Sequence, residues 1–235
     1  MTDQQTITTM FDDIAPRYDL LNHLLSFRFD ILWRRKVSRS IAKAQPTTIL
    51  DVATGTADLA IRLAKDNPEA QITGVDLSQA MLAIGQEKVK RQGLEQRIQL
   101  SLADAQQLPF ADHSFDAVTV AFGVRNMEHL DTALSEFQRV IRPGGVLGIL
   151  EFSQPERFPM RQLYGFYVRH ILPFVGRLVS KHPTAYTYLP ESIKAFNEKH
   201  NLIQSLQERG FLGVKAKRFF GGIASFYSGK KTKNS

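Results

Sequence analysis

Apolar positions in the first 45 residues recur at helical spacing through FDDIAPRYDLLNHLLSFRFDILWRRKVSRSIAKA. This predicts an N-terminal helical cap broken once, at Pro16. From Thr48 the period changes. TTILDVA, QITGVDLS, RIQLSLAD, FDAVTVAFGV and GGVLGILEFS are short apolar runs that predict five strands. Between them DLAIRLAKD, QAMLAIGQEKVKRQG (ending at Gly93) and LDTALSEFQRVIR read as helices. Strands and helices alternating at this spacing imply an α/β fold with a mostly parallel sheet covered on both faces. The rhythm stops after Ser153, and residues 155–190, rich in proline and aromatics, read as a helical insertion after the fifth strand. ESIKAFNEKHNLIQSLQERG is predicted as one helix ending at Gly210, and FLGVKAKRFF and GGIASFYSGKK as an antiparallel hairpin at a sheet edge. The total is seven strands in a single domain, residues 1–235.

Composition narrows the class. With 43% hydrophobic and 23% charged residues in 235, the chain reads as soluble and globular rather than disordered or collagen-like. No run of about 18 uncharged apolar residues predicts a transmembrane helix, and the acidic N-terminus does not resemble a signal peptide. The absence of cysteine excludes disulfides, thiol nucleophiles and thiolate metal centres, and suits a reducing cytoplasm. A net charge of +7 favours anionic partners without choosing among them.

The strongest chemical signal is ILDVATGTADLA: Asp51 ends the first strand, and the small-residue loop around Gly55 leads into a helix. Small residues let a ligand approach the backbone, and the helix start offers free N–H groups. The glycine pattern of a dinucleotide fold is missing, as is a phosphate-binding loop ending in Lys-Ser/Thr. An acid at Asp51 suits a cationic ligand end, such as an ammonium. Asp76 closes the second strand, where a carboxylate can accept from two ribose hydroxyls, or can simply cap the following helix. Asp104 closes the third, where it can accept from an adenine amino group. Ammonium, ribose and adenine in that order describe S-adenosylmethionine, bound at the carboxyl ends of parallel strands.

These residues stand among longer motifs. Tyr18-Asp19-Leu20-Leu21-Asn22 with Ser26 and Trp33-Arg34 forms one. Arg139-Val140-Ile141-Arg142-Pro143-Gly144-Gly145, running to Glu151-Phe152-Ser153, forms another. Phe122-Gly123-Val124-Arg125-Asn126, Tyr186-Thr187-Tyr188-Leu189-Pro190-Glu191-Ser192 and Gly221-Gly222-Ile223-Ala224 complete the set. Over nearly its whole length the chain resembles the menaquinone/ubiquinone biosynthesis C-methyltransferases, within the Rossmann-like class I methyltransferases. It departs from them at Asp30 (often His), Ala57 (more often Gly, so that one methyl narrows the room beside the methionine moiety) and Ala121 (often Ser, removing a hydroxyl contact).

The resemblance implies cofactor contacts at Thr56, Asp76, Asp104 and Ala105, to which the residue chemistry adds Asp51 and Gly55. It implies carbon methylation of a polyprenylated quinol, with no metal. Removing a ring hydroxyl proton makes the ortho carbon nucleophilic. Candidates for the base are His23, Asp30, His129, Tyr186 and Tyr188; Arg125 suits a quinolate charge and Asn126 can orient the ring. Arg161, Arg169, Arg177 and Lys181 in the insertion, with Lys230, Lys231 and Lys233, suit peripheral contact with an anionic membrane at its cytoplasmic face. No nucleic-acid partner is expected, and base rates point to a homodimer. A benzoquinol acceptor, a small-molecule or RNA methyltransferase on the same fold, and a non-catalytic binding subunit remain as alternatives.

Overall fold

The computed structural model of the chain describes residues 4–172 and 184–233, without the side chains of 4, 5 and 184–187. Helices α1 (Gln4–Leu25) and α2 (Phe29–Ala42) precede the sheet. Then β1 (Thr48–Val52), α3 (Asp58–Asp66), β2 (Gln71–Asp76), α4 (Gln79–Arg91), β3 (Ile98–Leu102), β4 (Phe115–Ala121), α5 (Leu130–Val140) and β5 (Ile141–Phe152) alternate. Helix α6 (Met160–Phe166) runs into a π-helical turn, Tyr167–Ile171. It is followed by α7 (Thr184–Lys199), α8 (Leu202–Glu208), β6 (Phe211–Phe219) and β7 (Ala224–Lys231).

The seven strands lie in the order β3-β2-β1-β4-β5-β7-β6, all parallel except β7. The central strands are apolar on both sides because each face is covered. Leu50 and Val52 join the core beneath α5, while Ile49 joins the core with Trp33, Val37 and Leu63 from α2 and α3. Full burial of each such side chain contributes about 1.5–3 kcal/mol before chain entropy is counted.

Two expected boundaries move. Pro16 does not end a helix but sits inside α1. The interruption comes at Phe27 and Arg28, whose φ values of 50° and 62° leave the helical region. Pro16 gives up one backbone donor, which is compatible with a continuous, partly exposed helix. The long helix expected up to Gly210 is two, since Asn201 starts α8 by accepting from the Gln204 N–H. The sheet order reverses between β1 and β4, and the loops leaving those two strands meet. A Cβ on Gly123 would lie 2.5 Å from that of Ala53, so the approach requires glycine. Ligands bind at such a switch point.

Candidate active site

Two cavities open at the carboxyl ends of the strands. The first, of ≈ 100 Å³, is lined by Gly55, Asp76, Leu77, Ser78, Asp104, Ala105, Ala121, Asn126 and Met127, among others. The second, of ≈ 340 Å³, is far more apolar and is walled by α1, α2, α6 and α7. Phe11, Tyr18 and Phe122 line both. Phe122 has a φ of 60°, unusual for a bulky residue, and is pinned by its N–H to the Leu150 carbonyl at 2.7 Å.

Asp76 does not cap α4; Ser78 does, its Oγ accepting from the Met81 N–H at 3.1 Å. The carboxylate accepts instead from the N–H groups of Gly55 (2.8 Å) and Ser78 (2.9 Å). Burial raises its pKa, against these backbone donors, which favour the anion. The strand-end acid is thereby fixed against the loop while still facing the cavity. Asp104 accepts from the Gln106 N–H at 2.9 Å and lines the same wall with Ala105.

Asp51 and Thr56 are placed differently from the expectation. Asp51 lies beneath the loop and does not line the cavity; Thr54 and Thr119 donate to its two oxygens at 2.8 and 2.7 Å. Burial pushes its pKa up to about 6, despite those two hydroxyls. The residue shapes the loop from below. The Thr56 hydroxyl turns to Asp19 at 2.6 Å and accepts from Lys88, whose ammonium also pairs with Asp19 and Asp58. It joins α1 to the loop rather than facing the first cavity. Ala57 also differs: its φ is 64°, where glycine is favoured, and its methyl points at Gly85 on α4, not into either cavity. Ala121 does line the first cavity.

Arg125, Asn126 and Tyr188 converge where the cavities adjoin. Arg125 Nη1 donates to Glu151 Oε1 at 2.7 Å and to the Phe122 carbonyl at 2.6 Å, with the guanidinium 5.3 Å from the Phe152 ring centre. Its Nε is buried without a hydrogen-bond partner. The Tyr188 hydroxyl donates to Asn126 Oδ1 at 2.9 Å. Burial raises the Tyr188 pKa although Arg125 opposes it, so this phenol is a donor rather than a base.

Among the other base candidates, Asp30 lines the second cavity. It accepts from Ser26 at 2.6 Å and Arg34 at 2.5 Å, and its Oδ2 lies 2.8 Å from His23 Nδ1. Burial works against its charge, but Arg34, Ser26 and His23 outweigh that and hold the carboxyl below its usual range. The ligand atoms of His23, Asp30 and Asp58 lie within 4.8 Å of one another, but the Arg34 guanidinium already faces both acids. His129 is exposed at the start of α5 and lines neither cavity. The side chain of Tyr186, and all of Arg177 and Lys181, lie outside the described residues.

Sequence reasoning passed over Tyr18 and Glu151 as individual site residues. Both stood inside quoted motifs, and Glu151 carried a signal of its own as the lone acid in an apolar strand.

Comparisons with known proteins give the family. Residues 1–231 match the model of the ubiE/COQ5 methyltransferase family. The chain belongs to that family. It is 44% identical over 227 residues to a demethylmenaquinone methyltransferase of Bacteroides fragilis, covering 97% of this chain and 93% of that one. It is 44% identical to the ubiquinone/menaquinone biosynthesis C-methyltransferase UbiE of Syntrophotalea carbinolica, covering 96% and 94%. A crystal structure of a putative S-adenosyl-L-methionine-dependent methyltransferase from Methanococcus maripaludis superposes with a TM-score of 0.63 at 21% identity, covering 98% and 94%. That likeness places the chain in the Rossmann-like methyltransferase fold.

Proposed function

We propose that this methyltransferase transfers a methyl group from S-adenosylmethionine to a ring carbon of a polyprenylated quinol, with demethylmenaquinol becoming menaquinol. The observation that carries the reading is the pairing of a carboxylate-edged cavity at the strand ends with a larger apolar one across the shared walls Phe11, Tyr18 and Phe122. The name of the Bacteroides relative favours the naphthoquinol ring; that of the Syntrophotalea relative keeps a benzoquinol as a second reading.

The residues fit the cofactor. The Asp76 carboxylate, already oriented by two backbone N–H groups, would accept from the ribose hydroxyls. Asp104 and Ala105 would meet the adenine edge, with Leu77 and Met127 as apolar neighbours in the same lining. A side chain on Gly55 would point into open space, so the loop leaves room beside the ligand. When bound, the cofactor supplies an electrophilic methyl group, so the protein's part is to position the quinol and manage its charge.

Arg125 lines the second cavity, where its guanidinium charge is suited to a quinolate oxygen. Glu151 and the Phe122 carbonyl hold it in place. Asn126, fixed by Tyr188, orients the ring. In balance, one carbon–carbon bond forms, the methyl–sulfur bond breaks, and the quinol loses one proton. Asp30 in the cavity wall, paired with the half-buried His23, gives that proton a path toward solvent.

Among the described residues no helix is long and apolar enough to cross a membrane. We read the protein as a peripheral enzyme that meets a bilayer-borne quinol at the membrane surface. The test is incubation with methyl-labelled cofactor and short-chain naphthoquinol or benzoquinol, followed by mass analysis. A gain of one ring-carbon methyl supports the reading; no incorporation into either ring rejects it.

A further inference from the structure

Helix α6 buries none of its residues, although Leu163 and Phe166 lie on it. Together with Leu24, Phe27, Phe158 and Phe220 they are 47% to 81% exposed. These residues come from distant segments that the fold draws together. The Tyr167 hydroxyl after α6 donates to the Leu25 carbonyl at 2.8 Å, and the Phe27 and Tyr167 rings lie 6.0 Å apart. Phe220 packs 4.0 Å from Phe29, just after the α1–α2 turn. Phe27, Leu163 and Phe220 also line the second cavity, so this apolar surface is its rim.

Exposed cations are interleaved with it: Arg28 beside Phe27, and Arg157, Arg161 and Arg169 around α6. The nearest acid in that stretch, Glu156, is paired with Arg218 at 2.7 Å. Apolar side chains ringed by cations match the headgroup and acyl layers of an anionic leaflet. They do not match a second copy of the same face, because a twofold would set the arginines against one another. The C-terminal lysines do not belong to this surface. Lys231 is buried, donating to the Gln138 and Ile141 carbonyls, and Lys230 pairs with Val146, at the end of the sheet away from the cavities.

Building on the quinol reading above, we propose that the end of α1, the α1–α2 turn, α6 and Phe220 form the face that docks on an anionic bilayer, with the acceptor cavity opening directly onto the lipid.

Flotation of the full chain with phosphatidylcholine vesicles, with and without phosphatidylglycerol, tests this at low and high salt. Phe158→Glu and Phe166→Glu lie outside both cavities. Binding is expected to be about tenfold stronger with phosphatidylglycerol, to weaken with salt, and to fall about tenfold in either variant. Turnover of a soluble short-chain quinol should stay unchanged while that of a long-chain quinol in vesicles falls. The proposal is overturned by wild-type protein that does not float, by variants that float equally, or by a dimer that Phe166→Glu splits without any vesicle binding. Vesicle binding without methylation of any quinol would instead reject the functional reading and leave the docking face standing.

Discussion

The two cavities are built on opposite principles. The first takes its polar groups from strand ends and fixes them with backbone N–H groups, as Gly55 and Ser78 fix Asp76. The second is roofed by helices from distant parts of the chain, and its few charges are already neutralised, Asp30 by Arg34 and Arg125 by Glu151. A rigid sheet edge suits a ligand read by directional hydrogen bonds. An apolar helical cover suits one held by its surface area, for which shape matters more than direction. Substitutions should therefore separate cleanly into those that weaken the cofactor and those that slow turnover.

The largest separation is expected from Asp76→Ala. Losing two charge-assisted hydrogen bonds, each of about 1.5–3 kcal/mol, should weaken the cofactor by at least about 100-fold. Calorimetry with S-adenosylmethionine measures it; an affinity within about twofold of wild type would erase the division between the cavities. Arg125→Lys should act on the other side, lowering kcat by about 10- to 100-fold while leaving cofactor affinity intact. Lysine keeps a charge for Glu151 but loses the flat guanidinium that lies 5.3 Å from the Phe152 ring centre in the cavity wall. Weakened cofactor binding with normal turnover would reverse the assignment.

The same contrast explains what could be read from the chain. The strand-end acids Asp76 and Asp104 were legible because a parallel sheet places successive strand ends on one edge, so linear order becomes spatial order. Asp51 shared that pattern, yet its side chain turns under the loop to Thr54 and Thr119. Strand alternation says which face a residue takes, not whether a loop folds over it. The acceptor cavity was legible only as a resemblance. Its walls join Tyr18, Arg34, Arg125 and Tyr188, and no local period relates helices that meet only through tertiary packing. Pro16 misled for a related reason: its cost of about 3 kcal/mol inside a helix is offset by tertiary anchors such as Asp12 to Ser78 and Asp19 to Lys88, which local sequence does not show.

At the boundary between the cavities the effect should be smaller. Tyr188→Phe removes the hydrogen bond to Asn126 but keeps the ring in the acceptor wall. A neutral hydrogen bond of about 1 kcal/mol predicts a fall of about fivefold in kcat. Steady-state kinetics at saturating cofactor measures it. An unchanged kcat with a raised acceptor KM would mean that Tyr188 only packs against the quinol.

The smallest effect isolates the one strand-end acid that serves neither cavity. Asp51 has its pKa pushed up to about 6 by burial, against an ordinary value of 3.8. Below the ordinary value both folded and unfolded chains hold the proton, and the residue costs nothing. As pH rises, the unfolded chain ionises first, so the stabilising contribution is lost progressively up to about 6 and is gone above it. Asp51→Asn abolishes that slope. It also replaces one acceptor by a donor, so the Thr54 or Thr119 hydroxyl must turn to accept, a penalty independent of pH. The melting temperature of the variant relative to wild type should therefore climb from mildly acidic pH to about 6 and then level off. Acids common to both proteins, such as Asp116 with its carboxyl held low by Arg142 and Thr47, cancel in that difference. Parallel melting curves across the whole range would mean that Asp51 is hydrated like a surface carboxylate, and that the loop above it is not closed in the way that separates it from the cofactor.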